Sequence, residues 1–284
     1  APRPTPPREA RPDRFHVTGV EKLLRDPYAV YAQQVLGLRA LDPLAMDAGA
    51  PLVKGRFYHA LFARFADDYR DHMPDCPVET LHRYASDLFE RAGLPDSVRA
   101  FWQARMEDSI TWFAGWHAQA IATGTPTVIE GRGGISMDIA GRTIRLMARA
   151  DRIDRREDGA YIIDYKTGQL PTGKQIEKFS PQLPLTGLIA ARGGFDKLGK
   201  VAIAGYAYLK VLNRRPDTED TIRTGAAASD DVAEAEAGFI ELVEYFSDPE
   251  TPFLSQPRPF FRDDYSAFDH LARRGEWATS GEED

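Results

Sequence analysis

Cysteine is almost missing from this sequence: Cys76 is the only one in 284 residues. One thiol excludes internal disulfides and any zinc or iron–sulfur centre built from several cysteines of the chain. Long apolar runs are missing too. No stretch of about 18 residues is apolar enough to span a bilayer, and the first residues lack the apolar centre of a secretory signal. A soluble cytoplasmic protein is the expectation. An excess of positive charge is also lacking, since 36 Lys and Arg face 43 Asp and Glu for a formal net charge of -7. That balance argues against a general coat for polyanions, but not against an enzyme whose site alone is cationic.

What is present is enough apolar material, 43% of residues, to bury a real core. There is no Met at position 1, and the Pro/Arg-rich opening "APRPTPPREARPDR" reads as a disordered linker over residues 1–14. It leads into one domain over 15–284, expected to be part of a longer chain. A tag remnant or a processed terminus is the alternative.

The spacing of Thr18 and Glu21 predicts a capping box and a short helix. Asp26-Pro27 predicts an N-cap with proline in the first turn of the next helix, which runs to about Gly37. Tyr58, Leu61, Phe62, Phe65 and Tyr69 recur as one buried helical face, with His59 beside it. From Pro95 to about Ile121 a further helix carries Trp102, Trp112, Phe113 and Trp116, which read as core rather than as a platform for stacking bases. His16, His72, His82, His117 and His270 show no ligand-like spacing and receive no role.

The pattern changes at Thr127. Alternating residues punctuated by Gly133-Gly134, Ala140-Gly141 and Asp158-Gly159 predict a meander of antiparallel strands. Ser180-Pro181 opens a helix that ends at Gly193-Gly194, "KVAIAGYAYLKV" is a strand, "NRRPDTEDTIRTGAAASDD" is a loop, and helices are expected around Val232 to Phe246 and Tyr265 to Arg274. The fold class is α/β, a mixed sheet with helices on its faces.

One stretch supports two chemistries. "GQLPTGKQ", residues 168–175, approximates a phosphate-binding loop, but Gln175 stands where a magnesium-holding Ser or Thr is needed, and no apolar strand ending in Asp follows. Just before it, "IIDYK" sets Asp164 and Lys166 on one face of a strand and Ile163 and Tyr165 on the other. The turn at Asp158-Gly159 folds the strand of Asp151 back beside them. Two converging carboxylates suit magnesium or manganese, and an adjacent ammonium suits a phosphoryl group whose charge is growing. A surface ion pair is the plainer reading of Asp-x-Lys.

Four blocks occur in the order and approximate spacing of a known family, "GRFYHALFARF" with His59, "RADRID" with Asp151, "IIDYKTG" with Asp164 and Lys166, and "PQLPL" with Gln182, and a further one, "LLRDPYAVYAQQVLGLRALDPL", stands near the start. The four resemble the RecB-like branch of the PD-(D/E)XK superfamily, and the segment near the start, with "DHLARRGEWA" near the end, resembles more narrowly the C-terminal nuclease domain of AddB in the AddAB helicase-nuclease. The resemblance implies a restriction-endonuclease-like fold and hydrolysis of single-stranded DNA ends, 5′-terminated, during repair of double-strand breaks. It implies that His59, Asp151, Asp164 and the carbonyl of Tyr165 hold Mg2+, or Mn2+ given the imidazole, that Lys166 is the catalytic lysine, and that Gln182 positions the phosphate or Lys166. It further implies an AddA-like helicase-nuclease partner and an N-terminal remainder of an AddB-like chain. No nucleotide site is implied in this segment.

Glu130 is either a neighbour to the ligands or an exposed strand carboxylate. Two positions depart from the family pattern: Thr186 replaces a tyrosine, and Asp26 stands where relatives carry the first cysteine of an iron–sulfur cluster. The segment from Thr18 to Leu38 must then be held by packing, with Val20, Leu23, Leu24, Tyr28, Tyr31, Val35 and Leu36 available. A domain of the same shape that guides DNA or braces a helicase without catalysis is the competing reading.

Overall fold

A computed structural model describes residues 1–39, 51–92, 96–172, 175–176, 180–214, 218–257 and 266–277. In chain order the elements are β1 (Arg14–His16), α1 (Val17–Arg25), α2 (Pro27–Val30) continuing into a π turn (Tyr31–Val35), α3 (Pro51–Asp68), α4 (Pro77–Ala92) and α5 (Asp96–Thr123). There follow β2 (Thr125–Ile139), β3 (Arg142–Arg156), β4 (Gly159–Lys166), α6 (Gln182–Ala191), β5 (Ile203–Lys210), β6 (Thr221–Thr224), α7 (Gly225–Ser247) and α8 (Arg274–Trp277).

The strands form one six-stranded mixed sheet. β2 and β3 make a long hairpin whose two-residue turn, Ala140 at φ 49° and Gly141 at φ 68°, has the doubly left-handed backbone that matches strand twist. The other edge of β3 is shared: β1 pairs parallel with Arg145 to Met147, and β4 pairs antiparallel with Arg152 to Arg156. β5 lies parallel to β4, and β6 antiparallel to β5. The expected mixed sheet with helices on its faces is what the chain forms.

Alternation along β4 sorts the two layers. Tyr161, Ile163 and Tyr165 enter the core that α3, α4 and α5 build around Phe62, Phe89 and Phe113. Ala160 and Ile162 face the opposite core, made with α1, α6 and α7 through Leu23, Leu185, Ile189 and Phe239. Asp164 and Lys166 continue this second face at the strand's C-terminal end, so two polar residues emerge where the apolar core stops. The aromatics of α5 are core, as expected: Phe113 stacks on Phe62 with centroids 3.8 Å apart, and the Tyr165 ring meets Phe62, Phe113 and Trp116 edge-on.

Several expectations need correction. The opening segment is not a disordered linker. Arg11 is buried and donates to the carbonyls of Pro6, Phe246, Pro249 and Thr251, while Phe253 N–H donates to Pro4. Local composition carried no sign of this packing because all the partners except Pro6 lie about 240 positions away in sequence. Thr18 is inside α1, whose N-cap is His16 with no side-chain bond, so the capping box does not form. Asp26 does cap α2, accepting from Ala29 N–H at 3.3 Å. Its carboxylate also takes Ser266 Oγ at 3.0 Å and Gln256 N–H at 3.4 Å, so polar bonds join packing in holding this segment, while Leu36 is exposed. In place of a helix around Tyr265 to Arg274, residues 267–273 form turns that lead into α8, with Tyr265 outside the described residues. The supposed loop contains β6 and the start of α7. Among the described residues no helix is long and apolar enough to cross a membrane.

Candidate metal and phosphodiester site

Tyr165 is the hinge of the site. Its ring is anchored among the aromatics beneath the sheet, which fixes its backbone between Asp164 and Lys166. Its N–H donates to Asp151 Oδ2 at 2.9 Å, and its carbonyl oxygen lies 2.8 Å from Nε2 of His59 on α3. The other His59 nitrogen, Nδ1, faces Asp151 Oδ1 at 3.3 Å and Glu130 Oε1 at 3.7 Å. Both ring nitrogens thus point at groups that only accept, which makes the ring an imidazolium. Burial opposes that charge, but hydrogen bonds to Asp151 and Glu130 and the charges of Asp151 and Asp164 outweigh it and push the His59 pKa up to about 10.

On the other side of Tyr165 lies a second cluster. The Asp164 carboxylate accepts from Gln182 Nε2 at 2.8 Å and pairs with Lys166 Nζ at 2.8 Å, while Lys166 also donates to Gln182 Oε1 at 3.2 Å. Only one orientation of the Gln182 amide serves both neighbours. Burial, then the charge of Asp151, push the Asp164 pKa up to about 6 against the pull of Lys166 and His59. Gln182 opens α6, so its side chain leaves the first turn toward the end of β4. Thr186, one turn on, gives its hydroxyl to the Gln182 carbonyl at 2.7 Å, inside its own helix.

Glu130 takes a larger part than its sequence context suggests. Among the described residues, the group whose ligand atoms all lie within 4.8 Å of one another is His59, Glu130 and Asp151. Asp164 is adjacent, with its oxygens engaged by Lys166 and Gln182. In the strand register Glu130 falls opposite Asp151, between the pairs Ile129–Arg152 and Gly131–Ala150. Its φ is 48°, left-handed backbone that a non-glycine residue adopts inside a strand at a cost of about 1–3 kcal/mol. The kink also requires Gly131, where a Cβ would lie 2.3 Å from Val128 Cγ1. Glu130 Oε2 meets Arg149 Nε at 2.8 Å.

A buried layer beneath the site went unread in the sequence. Arg152 and Asp154 form a bidentate pair at 2.6 and 2.8 Å with side chains 1% and 0% exposed. Arg152 Nη1 also donates to His117 Nδ1 at 2.7 Å, so the His117 proton is on Nε2, where it meets the Tyr69 carbonyl at 2.7 Å. Burial, then the Arg152 charge, lower the His117 pKa to about 4. Alternation along "RADRID" gives no signal for this layer, because Arg152, Ile153 and Asp154 are buried in succession. Gly173 and Lys174 of the phosphate-loop reading lie outside the described residues.

The donor set fits a hard divalent cation. A carbonyl, two carboxylates and an imidazole converge on one point, and the protons of His59 meet them there.

With this geometry in view, comparison with known proteins identifies the family. The family model of the PD-(D/E)XK nuclease superfamily matches residues 14–258. The chain belongs to that superfamily. Among relatives, an uncharacterized protein of Rickettsia bellii is 25% identical over 252 residues, covering 83% of this chain and 30% of its own length. An uncharacterized protein of Rickettsia felis is 25% identical over 276 residues, covering 83% and 32%. RT0391 of Rickettsia typhi is 28% identical over 194 residues, covering 65% and 22%. The chain therefore spans about a third or less of these curated relatives. The solved structure of SSO0001 is 12% identical, with a TM-score of 0.37, 91% of this chain and 85% of that chain covered.

Proposed function

We propose that this PD-(D/E)XK chain hydrolyses DNA phosphodiesters with the help of a divalent cation. The single observation that carries the reading is the convergence of His59, Asp151, Glu130 and the Tyr165 carbonyl beside the Asp164–Lys166–Gln182 cluster. A bound Mg2+ or Mn2+ supplies charge neutralisation on the phosphodiester and a more acidic water.

The protein's own groups do the rest. Asp151 in the body of β3 and Asp164 near the end of β4 hold hard oxygens on neighbouring strands, and the Tyr165 N–H keeps Asp151 from rotating away. His59 would hold the ion only as the neutral ring, so it would have to release its proton first. Lys166 Nζ, 30% exposed and held between Asp164 and Gln182, stabilises negative charge growing on the phosphoryl oxygens. Gln182 fixes the direction of that ammonium.

The finer reading is an exonuclease acting on 5′-terminated single-stranded ends during double-strand break processing, as the AddB-like blocks suggest, beside an AddA-like helicase-nuclease. The test is digestion of single-stranded DNA labelled at either end, with Mg2+ or with EDTA. Mg2+-dependent release of short products from the 5′ label first supports both levels of the reading. Digestion from the 3′ end overturns the polarity alone, and DNA that is bound but never cut overturns catalysis.

A further inference from the structure

The His59 side of the site opens into a cavity of about 700 Å3, lined in part by Arg56, Arg149, Glu130 and Asp151. Neither arginine belongs to the ligand set. Arg56 precedes His59 by three positions on α3, so it shares that helix face, and it is exposed with no carboxylate partner among the described residues. Arg149 precedes Asp151 by two on β3, so alternation sends it to the same side, where its side chain is 62% exposed. A planar guanidinium at the edge of a cleft suits a phosphate.

The two arginines differ in what holds them. Arg149 Nε lies 2.8 Å from Glu130 Oε2, and the other oxygen of that carboxylate faces His59 Nδ1 at 3.7 Å. Glu130 therefore stands between a cation-binding point and a phosphate-binding side chain. It cannot serve both at full strength.

We propose that Arg56 and Arg149 hold two backbone phosphates of a nucleic-acid strand in this cleft, and that Glu130 withholds Arg149 until a divalent cation draws the carboxylate away. Ion and strand then bind cooperatively through one glutamate. The inference rests on the metal-dependent nuclease reading and adds to it a reason why the strand is gripped more tightly once the ion is in place.

The experiment measures fluorescence anisotropy of a labelled single-stranded DNA oligonucleotide, with and without Mg2+, in a Lys166→Met background so that the strand survives. Mg2+ binding without DNA is followed by calorimetry in parallel. Arg149→Ala should leave metal-free binding unchanged and lose about tenfold with Mg2+. Glu130→Gln should bind the strand about tenfold more tightly than the parent without Mg2+, and adding Arg149→Ala should remove that gain. Arg56→Ala should weaken both states and reduce the slope of log affinity against log salt by about 0.7, the value for one phosphate contact on a single strand. All these side chains line the surface, and thermal melting checks that the variants stay folded.

Equal losses for Arg149→Ala in both states would show that Glu130 withholds nothing, and no loss in either would remove Arg149 from the cleft. An unchanged salt slope in Arg56→Ala would remove Arg56. If calorimetry shows no Mg2+ binding, the metal-dependent reading fails and the coupling with it. If Mg2+ binds but the pattern of strand affinities is absent, the coupling alone is overturned.

Discussion

His59 Nε2 lies 2.8 Å from the Tyr165 carbonyl oxygen, while its Nδ1 faces Asp151 at 3.3 Å, so one imidazolium bridges two acceptors that a cation would also want. Proton and metal compete for one place. Divalent-ion binding should release about one proton per ion at pH 8. Calorimetry in buffers of different ionisation enthalpy measures this number, and a His59→Gln variant should release close to none.

The same proton shapes the stability of the metal-free chain. His59 is raised from 6.5 to about 10, so its contribution is fully present below pH 6.5 and is lost as pH rises through 10. Asp164 titrates in the opposite sense although it is paired with Lys166, because burial and the charge of Asp151 outweigh that pair. Its pKa is raised from 3.8 to about 6, so the folded state favours the protonated form, stability falls as pH rises from 3.8 to 6, and the burden is complete above that. Asp164→Asn should therefore stabilise the metal-free chain by about 1–3 kcal/mol at pH 7.5 and by little at pH 4. Urea unfolding in EDTA at the two pH values checks the sign.

Glu130 sits in left-handed backbone at φ 48°, which glycine adopts freely. Glu130→Gly should gain about 1 kcal/mol of stability while weakening Mg2+ binding. Chemical denaturation and calorimetry on one variant read the two effects, and a loss of both would show that the side chain braces the fold rather than the ion.

Arg152 and Asp154 are wholly buried, so removing one leaves the other unpaired. Arg152→Met should cost about 3–5 kcal/mol, and the double change Arg152→Met/Asp154→Leu much less. Beside them, His117 stays neutral down to about pH 4 while the unfolded chain binds its proton at 6.5. On acidification from 6.5 to 4 the neutral ring should cost the fold roughly 3 kcal/mol, and His117→Gln should flatten that part of the stability profile.

Sequence reading found what depends on short-range pattern. The β2–β3–β4 meander was legible because alternation and the turns at Ala140-Gly141 and Asp158-Gly159 recur within a few positions, although Gly133-Gly134, expected as a further turn, lies inside β2 and pairs with Ala148 and Met147; the same alternation placed Asp164 and Lys166 on one face. α4 was missed although Leu81, Tyr84, Ala85 and Phe89 mark a buried stripe, because the charged residues between them dilute it. Asp26 was legible as an N-cap, but its bonds to Gln256 and Ser266 and those of Arg11 to Phe246, Pro249 and Thr251 were beyond reach, since these partners lie some 230 to 240 positions away. Glu130 was read as marginal because strain at one φ angle leaves no trace in composition. The blocks around His59, Asp151, Asp164, Lys166 and Gln182 were visible as a resemblance, but which of them share a point in space required the sheet. The match over residues 14–258 agrees with that resemblance at the level of the PD-(D/E)XK superfamily.

The most direct measurement compares native protein, Asp164→Ala and Lys166→Ala for digestion of single-stranded DNA in Mg2+, with circular dichroism confirming that all three are folded. Native protein should degrade the strand, and each variant should lose at least about 100-fold in rate. Undiminished cleavage by both folded variants would contradict the assignment of this cluster to the chemistry.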